Sequence, residues 1–209
     1  MKNFSFFFLA LLPIFSFAQD SDKWSLEIRL SNDHFHIDPD ANNHLASTEV
    51  TGIALLESRF SYGLGIQATR KLNDKFRLGL GLMYNNRKAL ASCYCHICDK
   101  LAVFDEEHFS FLKIPFFLRY DFFYKEKWNA YTSFGVSPRT LLVKDFGNDL
   151  RSIQVEGSFG LGMAYRFNPN YSLSLEAFLV HDLYNINKVE FEEFKYRGLS
   201  LQLGMNRYF

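Results

Sequence analysis

From Tyr196 to Phe209 the chain alternates strictly. Leu199, Leu201, Leu203, Met205 and Phe209 fall on one parity, and Gly198, Ser200, Gln202, Gly204 and Asn206 on the other. Successive side chains on a strand point to opposite faces, so this segment has one greasy face and one small, polar face. The pattern recurs along the chain. Trp24, Leu26, Ile28 and Leu30 oppose Ser25, Glu27, Arg29 and Ser31 over about 24–36. Phe60, Tyr62, Leu64, Ile66 and Ala68 oppose Arg59, Ser61, Gly63, Gly65, Gln67 and Thr69 over about 57–70. Phe76, Leu78, Leu80, Leu82 and Tyr84 oppose Arg77, Gly79, Gly81, Asn85 and Arg87 over about 75–87.

Four more segments follow. Over about 108–122, Leu112, Ile114, Phe116, Leu118 and Tyr120 oppose Lys113, Pro115, Phe117, Arg119 and Asp121. Trp128, Ala130, Phe134 and Val136 form the apolar face of about 127–142. Over about 151–167, Ile153, Val155, Phe159, Leu161, Met163, Tyr165 and Phe167 oppose Gln154, Glu156, Ser158, Gly160, Gly162 and Arg166. Tyr171, Leu173, Leu175 and Leu179 oppose Ser172, Ser174 and Glu176 over about 170–183. Pro115 has no N–H, so its strand needs a local break or bulge there.

The connections alternate in length. Residues 71–74, 123–126 and 168–170 read as tight turns, whereas 37–56, 88–107, 143–150 and 184–195 are longer links. The fold expected is all-β: an eight-stranded antiparallel up-and-down transmembrane β-barrel. Its enclosed face would carry Glu27, Arg29, Arg59, Arg77, Arg87, Lys113, Arg119, Asp121, Glu156, Arg166 and Glu176 as a lumen charge network. Unpaired charges would ruin a soluble core. In a small barrel they can pair with one another, with inward glycines making room for long Arg and Lys side chains. Short turns at one rim and long loops at the other match outer-membrane barrels, and an even strand count puts both termini on the periplasmic side.

The start of the chain sets the compartment. Lys2 precedes an apolar run from Phe4 to Phe17, and Ser16-Phe17-Ala18 supplies small residues for cleavage. Residues 1–18 therefore read as a cleaved secretory signal peptide and 19–209 as one outer-membrane β-barrel domain. Net charge is zero, which argues against a nucleic-acid partner, since that needs a basic surface. The expected location is the cell outer membrane of a Gram-negative bacterium.

Phe111-Leu112-Lys113-Ile114-Pro115-Phe116-Phe117-Leu118-Arg119-Tyr120 resembles a strand of Bacteroidota-type outer-membrane β-barrel proteins, eight-stranded OmpA/OmpX-like and PorT-like barrels. Tyr62-Gly63-Leu64-Gly65, Phe159-Gly160-Leu161-Gly162 and the terminal Tyr208-Phe209 are similar to that family too. The resemblance covers essentially the whole mature chain. It implies an outer-membrane barrel inserted by the barrel assembly machinery, with the aromatic C-terminus as the recognised signal. It supplies no catalytic residues. The cysteine-bearing loop is not part of the shared pattern.

Two clusters carry candidate chemistry. Cys93-Tyr94-Cys95-His96-Ile97-Cys98 falls in an expected external loop. Adjacent Cys95 and His96 can hardly both reach one tetrahedral zinc without strain. A loop disulfide, with Cys93 and Cys98 as candidates, is the preferred reading after export, although sequence leaves the connectivity open. His34, His36, Asp38, Asp40 and His44 are metal-type residues at the first long loop, but a solvated polar loop accounts for them. His181 sits near a strand end without an accompanying Ser and acid at its depth. No catalytic, metal or cofactor site is assigned.

The function expected is that of a non-enzymatic, porin-like barrel whose outward loops serve binding, adhesion or envelope integrity. Its partners would be outer-membrane lipids, lipopolysaccharide and an envelope protein. The alternatives are a transport or secretion accessory barrel, or a narrow conduit for a hydrophobic ligand. A lipid-modifying enzyme is the third reading.

Overall fold

The computed structural model describes residues 23–37, 53–58, 61–95, 100–144, 151–184 and 195–209. The signal-peptide segment, Arg59, Cys98 and the acidic positions Asp38 and Asp40 lie outside them. The strands are β1 (Trp24–Ile37), β2 (Ile53–Ser58), β3 (Ser61–Lys71), β4 (Phe76–Cys95) and β5 (Lys100–Lys113). They continue as β6 (Phe116–Lys125), β7 (Trp128–Lys144), β8 (Ile153–Asn168), β9 (Tyr171–Asp182) and β10 (Tyr196–Tyr208).

These ten segments make eight staves. β2 and β3 lie end to end along β4, and β5 and β6 lie end to end between β4 and β7. Every pairing is antiparallel. β1 pairs with β10 from Ser25↔Tyr208 to Ile37↔Tyr196, so the sheet closes on itself. Closure leaves the wall with no open edge between its first and last strands.

Pro115 divides its stave. β5 stops at Lys113 and β6 starts at Phe116. The ladder is stitched across the gap: Gly81 N donates to the Pro115 carbonyl at 2.9 Å, and Ile114 N to the Pro138 carbonyl at 2.9 Å. The single strand expected over 108–122 is thus two segments spanning 100–125. A bulge between Asp121 and Phe123 puts both Phe122 and Phe123 on the outside, and the turn falls at Glu126-Lys127 rather than 123–126. Glu126 adopts a φ of 48° there.

The third strand also outruns its expected end at 87. β4 spans 20 residues and β7 spans 17, more than the roughly 9–11 needed to cross a bilayer. Cys93 and Cys95 therefore belong to β4, opposite Ala102 and Lys100, and not to a loop. The reason is visible in the chain. Once a strand leaves the lipid, its outward face no longer has to be apolar, and the alternation that marks its end fades.

The short turns form as their side chains dictate. Asn73 Oδ1 accepts from Lys75 N at 2.9 Å and Phe76 N at 2.8 Å. Asn168 Oδ1 accepts from Asn170 N at 2.9 Å. Asp74 accepts an ion-paired bond from Lys71 at 2.7 Å, and that bond, with the charge behind it, holds its carboxyl below the usual range.

The odd-even register sets what each face meets. Ile28, Leu64, Leu78, Phe134, Leu161, Leu175 and Leu203 all point outward and are about half exposed. Glu27, Arg29, Arg119, Glu156 and Glu176 point inward and are buried. A wall this apolar around a lumen this charged inverts a soluble barrel and suits a lipid surround.

Candidate functional site

The lumen is filled by side chains arranged in layers. At mid-height, Arg29 of β1 is the connector. Its Nη2 lies 3.0 Å from Glu27 Oε2 and 2.8 Å from Glu176 Oε2, and its Nη1 donates to Gln202 Oε1 at 2.8 Å. Arg119 of β6 stands 3.7 Å from the same two carboxylates. Ser174 Oγ donates to Glu27 Oε1 at 2.5 Å. Two cations face two anions, so the layer is neutral as a whole.

Toward the long-loop end, Glu156 of β8 is a hub. Arg87 Nη2 approaches it at 2.9 Å, Lys113 Nζ at 2.8 Å and Arg139 Nη1 at 2.6 Å. Arg139 also reaches Asp182 Oδ1 at 2.7 Å and donates from Nε to Gln154 Oε1 at 2.8 Å. Nearby, Asp33 accepts from Asn85 at 2.7 Å and from Ser200 at 2.6 Å. At the short-turn mouth, Arg77 Nε holds Asp121 Oδ2 at 2.7 Å, and Asn129 donates to Asp121 Oδ1 at 2.9 Å.

Aromatic rings complete the filling. The Arg119 guanidinium lies 3.9 Å from the centre of the Tyr131 ring, and Arg139 lies 4.7 Å from that of Phe111. Arg29 sits 5.9 Å from both Phe117 and Phe178. Stacking on a ring stabilises a desolvated guanidinium without consuming its N–H edges. The inward glycines do not make room for Arg and Lys, as expected: Gly79, Gly160 and Gly162 abut Phe117, Phe178 and Tyr131, and Gly63, Gly65 and Gly81 abut Asn85, Met83 and Gln67. A Cβ at Gly162 would come within 2.6 Å of Tyr131, and one at Gly79 would collide with the Phe117 ring.

The sequence-derived charge set is distributed as follows. Glu27, Arg29, Arg119 and Glu176 meet at mid-height, Lys113 and Glu156 meet in the hub, and Arg77 meets Asp121 at the mouth. Arg166 stays apart, half-buried with its guanidinium 4.5 Å from the Tyr208 ring. Arg139, Asp182 and Asp33 were missed. Their parity gives them away: each continues the inward series of its strand. Among the inward aromatics, parity placed Phe117 with Lys113 and Arg119; Phe111, Tyr131 and Phe178 share the inward parity of their strands, but a ring fits either face and so does not mark itself as inward. Ser133 Oγ and Thr69 Oγ1 have no protein partner, and such buried groups are costly unless water reaches them.

Two small spaces open among the described residues. A space of about 30 Å3 lies beside Lys113, Pro115, Phe117 and Glu156, and one of about 10 Å3 beside Arg77, Arg166 and Tyr208. Each holds a water or two at most. His34 is exposed on β1, and His181 Nδ1 lies 3.4 Å from the Tyr196 carbonyl oxygen.

A closed, eight-stave sheet has known counterparts. Neisserial surface protein A superposes with a TM-score of 0.57 at 15% identity, over 89% of this chain and 97% of that one. The outer membrane protein OprG of Pseudomonas aeruginosa gives 0.54 at 12%, over 90% and 96%. Ail, the attachment invasion locus protein of Yersinia pestis, gives 0.50 at 11%, over 90% and 99%. The fold is that of the eight-stranded outer-membrane barrels. No protein-family model matches the chain, and no curated protein matches it. At these identities the barrel shares an architecture with its counterparts, and its lumen chemistry has to be read from its own residues.

Proposed function

We propose that this barrel is a non-enzymatic protein of a Gram-negative outer membrane that presents its long loops for binding, adhesion or envelope integrity. The single observation that carries this reading is the filled lumen. Buried ion pairs tie β1, β6 and β9 together at mid-height and β4, β5, β7, β8 and β9 nearer the loops. A rigid plug leaves the loops as the part free to meet a partner. The solved complex of Ail with the heparin analogue sucrose octasulfate supports a binding role for barrels of this shape.

Both termini then sit on the periplasmic side, where the short turns are. Lipids and lipopolysaccharide surround the wall, and the barrel assembly machinery inserts it. The strand from Phe111 to Tyr120 and the terminal Tyr208-Phe209 support a Bacteroidota-type barrel. For His181, the neighbouring backbone carbonyl rather than a serine supports the non-enzymatic reading.

Planar-bilayer recording tests the plug. The purified protein is expected to be electrically silent. A stable single-channel conductance would overturn this reading and favour a conduit or transport role. Release of acyl chains from lipopolysaccharide, abolished by His181→Ala, would overturn it in favour of an enzyme.

A further inference from the structure

At the short-turn end, the closing seam carries a row of rings and guanidinium groups on its outer face. Trp24 of β1 is in register with Arg70 of β3. The Arg70 guanidinium lies 5.6 Å from the centre of the Trp24 ring. On the other side of β1, Arg207 of β10 is in register with Tyr171 of β9. Its guanidinium lies 4.9 Å from the Phe209 ring and 6.0 Å from the Tyr171 ring. Phe209 N donates to the Trp24 carbonyl at 3.0 Å, which brings the two halves of the row together. Phe167 stacks on Tyr171 at 6.2 Å and extends it to β8.

Both arginines are exposed. Neither pairs with a carboxylate among the described residues, whereas neighbouring Lys71 is held by Asp74. In the lumen, by contrast, Arg29, Arg87, Arg119 and Arg139 each have an acidic partner. A ring within about 6 Å of each outer guanidinium attracts its charge without consuming its N–H edges. Such an edge matches two oxygens of a phosphate. Rings of this kind settle at the level where acyl chains meet headgroups. The two arginines flank β1, Arg70 opposite Trp24 and Arg207 opposite Leu26, so two strand spacings and a two-residue offset set them about 12 Å apart at the backbone, within reach of one lipid headgroup.

We propose that Arg70 and Arg207, seated on Trp24, Phe209 and Tyr171, form a docking site for the phosphate of an anionic phospholipid at the seam of the barrel. The charge balance selects the lipid. Two cations, neither paired with a side-chain carboxylate among the described residues, favour a headgroup of net negative charge over a zwitterionic one. The site rests on the membrane reading above and gives it a lipid partner at a defined place.

Trp24 is the reporter. The sequence has two tryptophans, so Trp128→Phe leaves Trp24 alone and touches neither arginine. The full protein carrying W128F is reconstituted in vesicles that mix brominated phosphatidylglycerol with unbrominated phosphatidylcholine, and in the reciprocal mixture. Brominated phosphatidylglycerol is expected to reach half-maximal quenching of Trp24 at a mole fraction about fivefold lower than brominated phosphatidylcholine. The ratio is expected to fall to one in R70Q/R207Q, and also in the W128F protein at 1 M salt, where screening is nearly complete. Equal quenching by the two lipids in W128F, or a preference that survives both R70Q/R207Q and salt, overturns the site while leaving the membrane reading intact. No quenching by either lipid sinks both. The salt arm keeps the site testable if the double variant does not fold.

Discussion

The inner and outer faces of β8 differ by one step in register and by everything else. Glu156 is 3% exposed and surrounded by three cations, whereas Leu161 is 54% exposed on the outer face between Thr132 and Ala177. In a soluble protein those exposures would be exchanged. The contrast teaches that neither residue type is tolerated for its own sake. The carboxylate stands because its partners are prearranged on β4, β5 and β7, and the leucine stands because lipid asks nothing of it.

The largest break in this contrast comes from the hub. Glu156→Gln would leave Arg87, Lys113 and Arg139 around a neutral amide, and removing one member of a buried ion pair costs about 3–5 kcal/mol. The urea midpoint of the protein in phospholipid vesicles is expected to fall accordingly. A loss below about 1 kcal/mol would show that water screens the hub. Next comes the wall. Leu161→Arg sets a charge against acyl chains at mid-strand and is expected to cost about 2–4 kcal/mol by the same assay. No loss there would mean that the faces are assigned the wrong way round.

Glu176→Gln sharpens the comparison within the lumen. Arg29 keeps Glu27 at 3.0 Å, so the layer loses one of two acceptors rather than its only one. A cost of about 1–3 kcal/mol is expected, smaller than at Glu156. Equal losses at the two sites would show that sharing carboxylates between cations gives no protection. The smallest effect belongs to Ser158→Ala on the inner face of β8, expected within about 0.5 kcal/mol. Unfolding by that change would point to a lumen role for its hydroxyl.

The wall was legible from the chain because lipid enforces a strict rule on alternate residues. Leu199, Leu201, Leu203 and Met205 have no other reason to recur on one parity. The inner face was legible only by subtraction. Parity places Glu27, Arg29 and Glu176 inside, but nothing local says that Arg29 would join carboxylates on strands at opposite ends of the sequence. That geometry follows from barrel diameter and register, which depend on all the staves at once. Arg139 was hidden for a related reason. Ser133, Gly135 and Ser137 precede it on the same face and carry no charge, so parity alone marks it as part of the inward set. Pro115 was readable as a break because a missing N–H is a local fact. The extra length of β4 was not, because beyond the lipid the rule that exposes a strand no longer applies.

The pairing of Ser25 with Tyr208 has a kinetic consequence. Those contacts join the two ends of the described sheet, and the entropy of bringing such distant segments together is spent before the contacts repay it. Until β10 docks on β1, two raw rims of amide groups would face hydrocarbon with nothing to bond. Assembly of this molecule is therefore a late, cooperative event. A nascent intermediate lacking its final strand has no stable place in the bilayer interior.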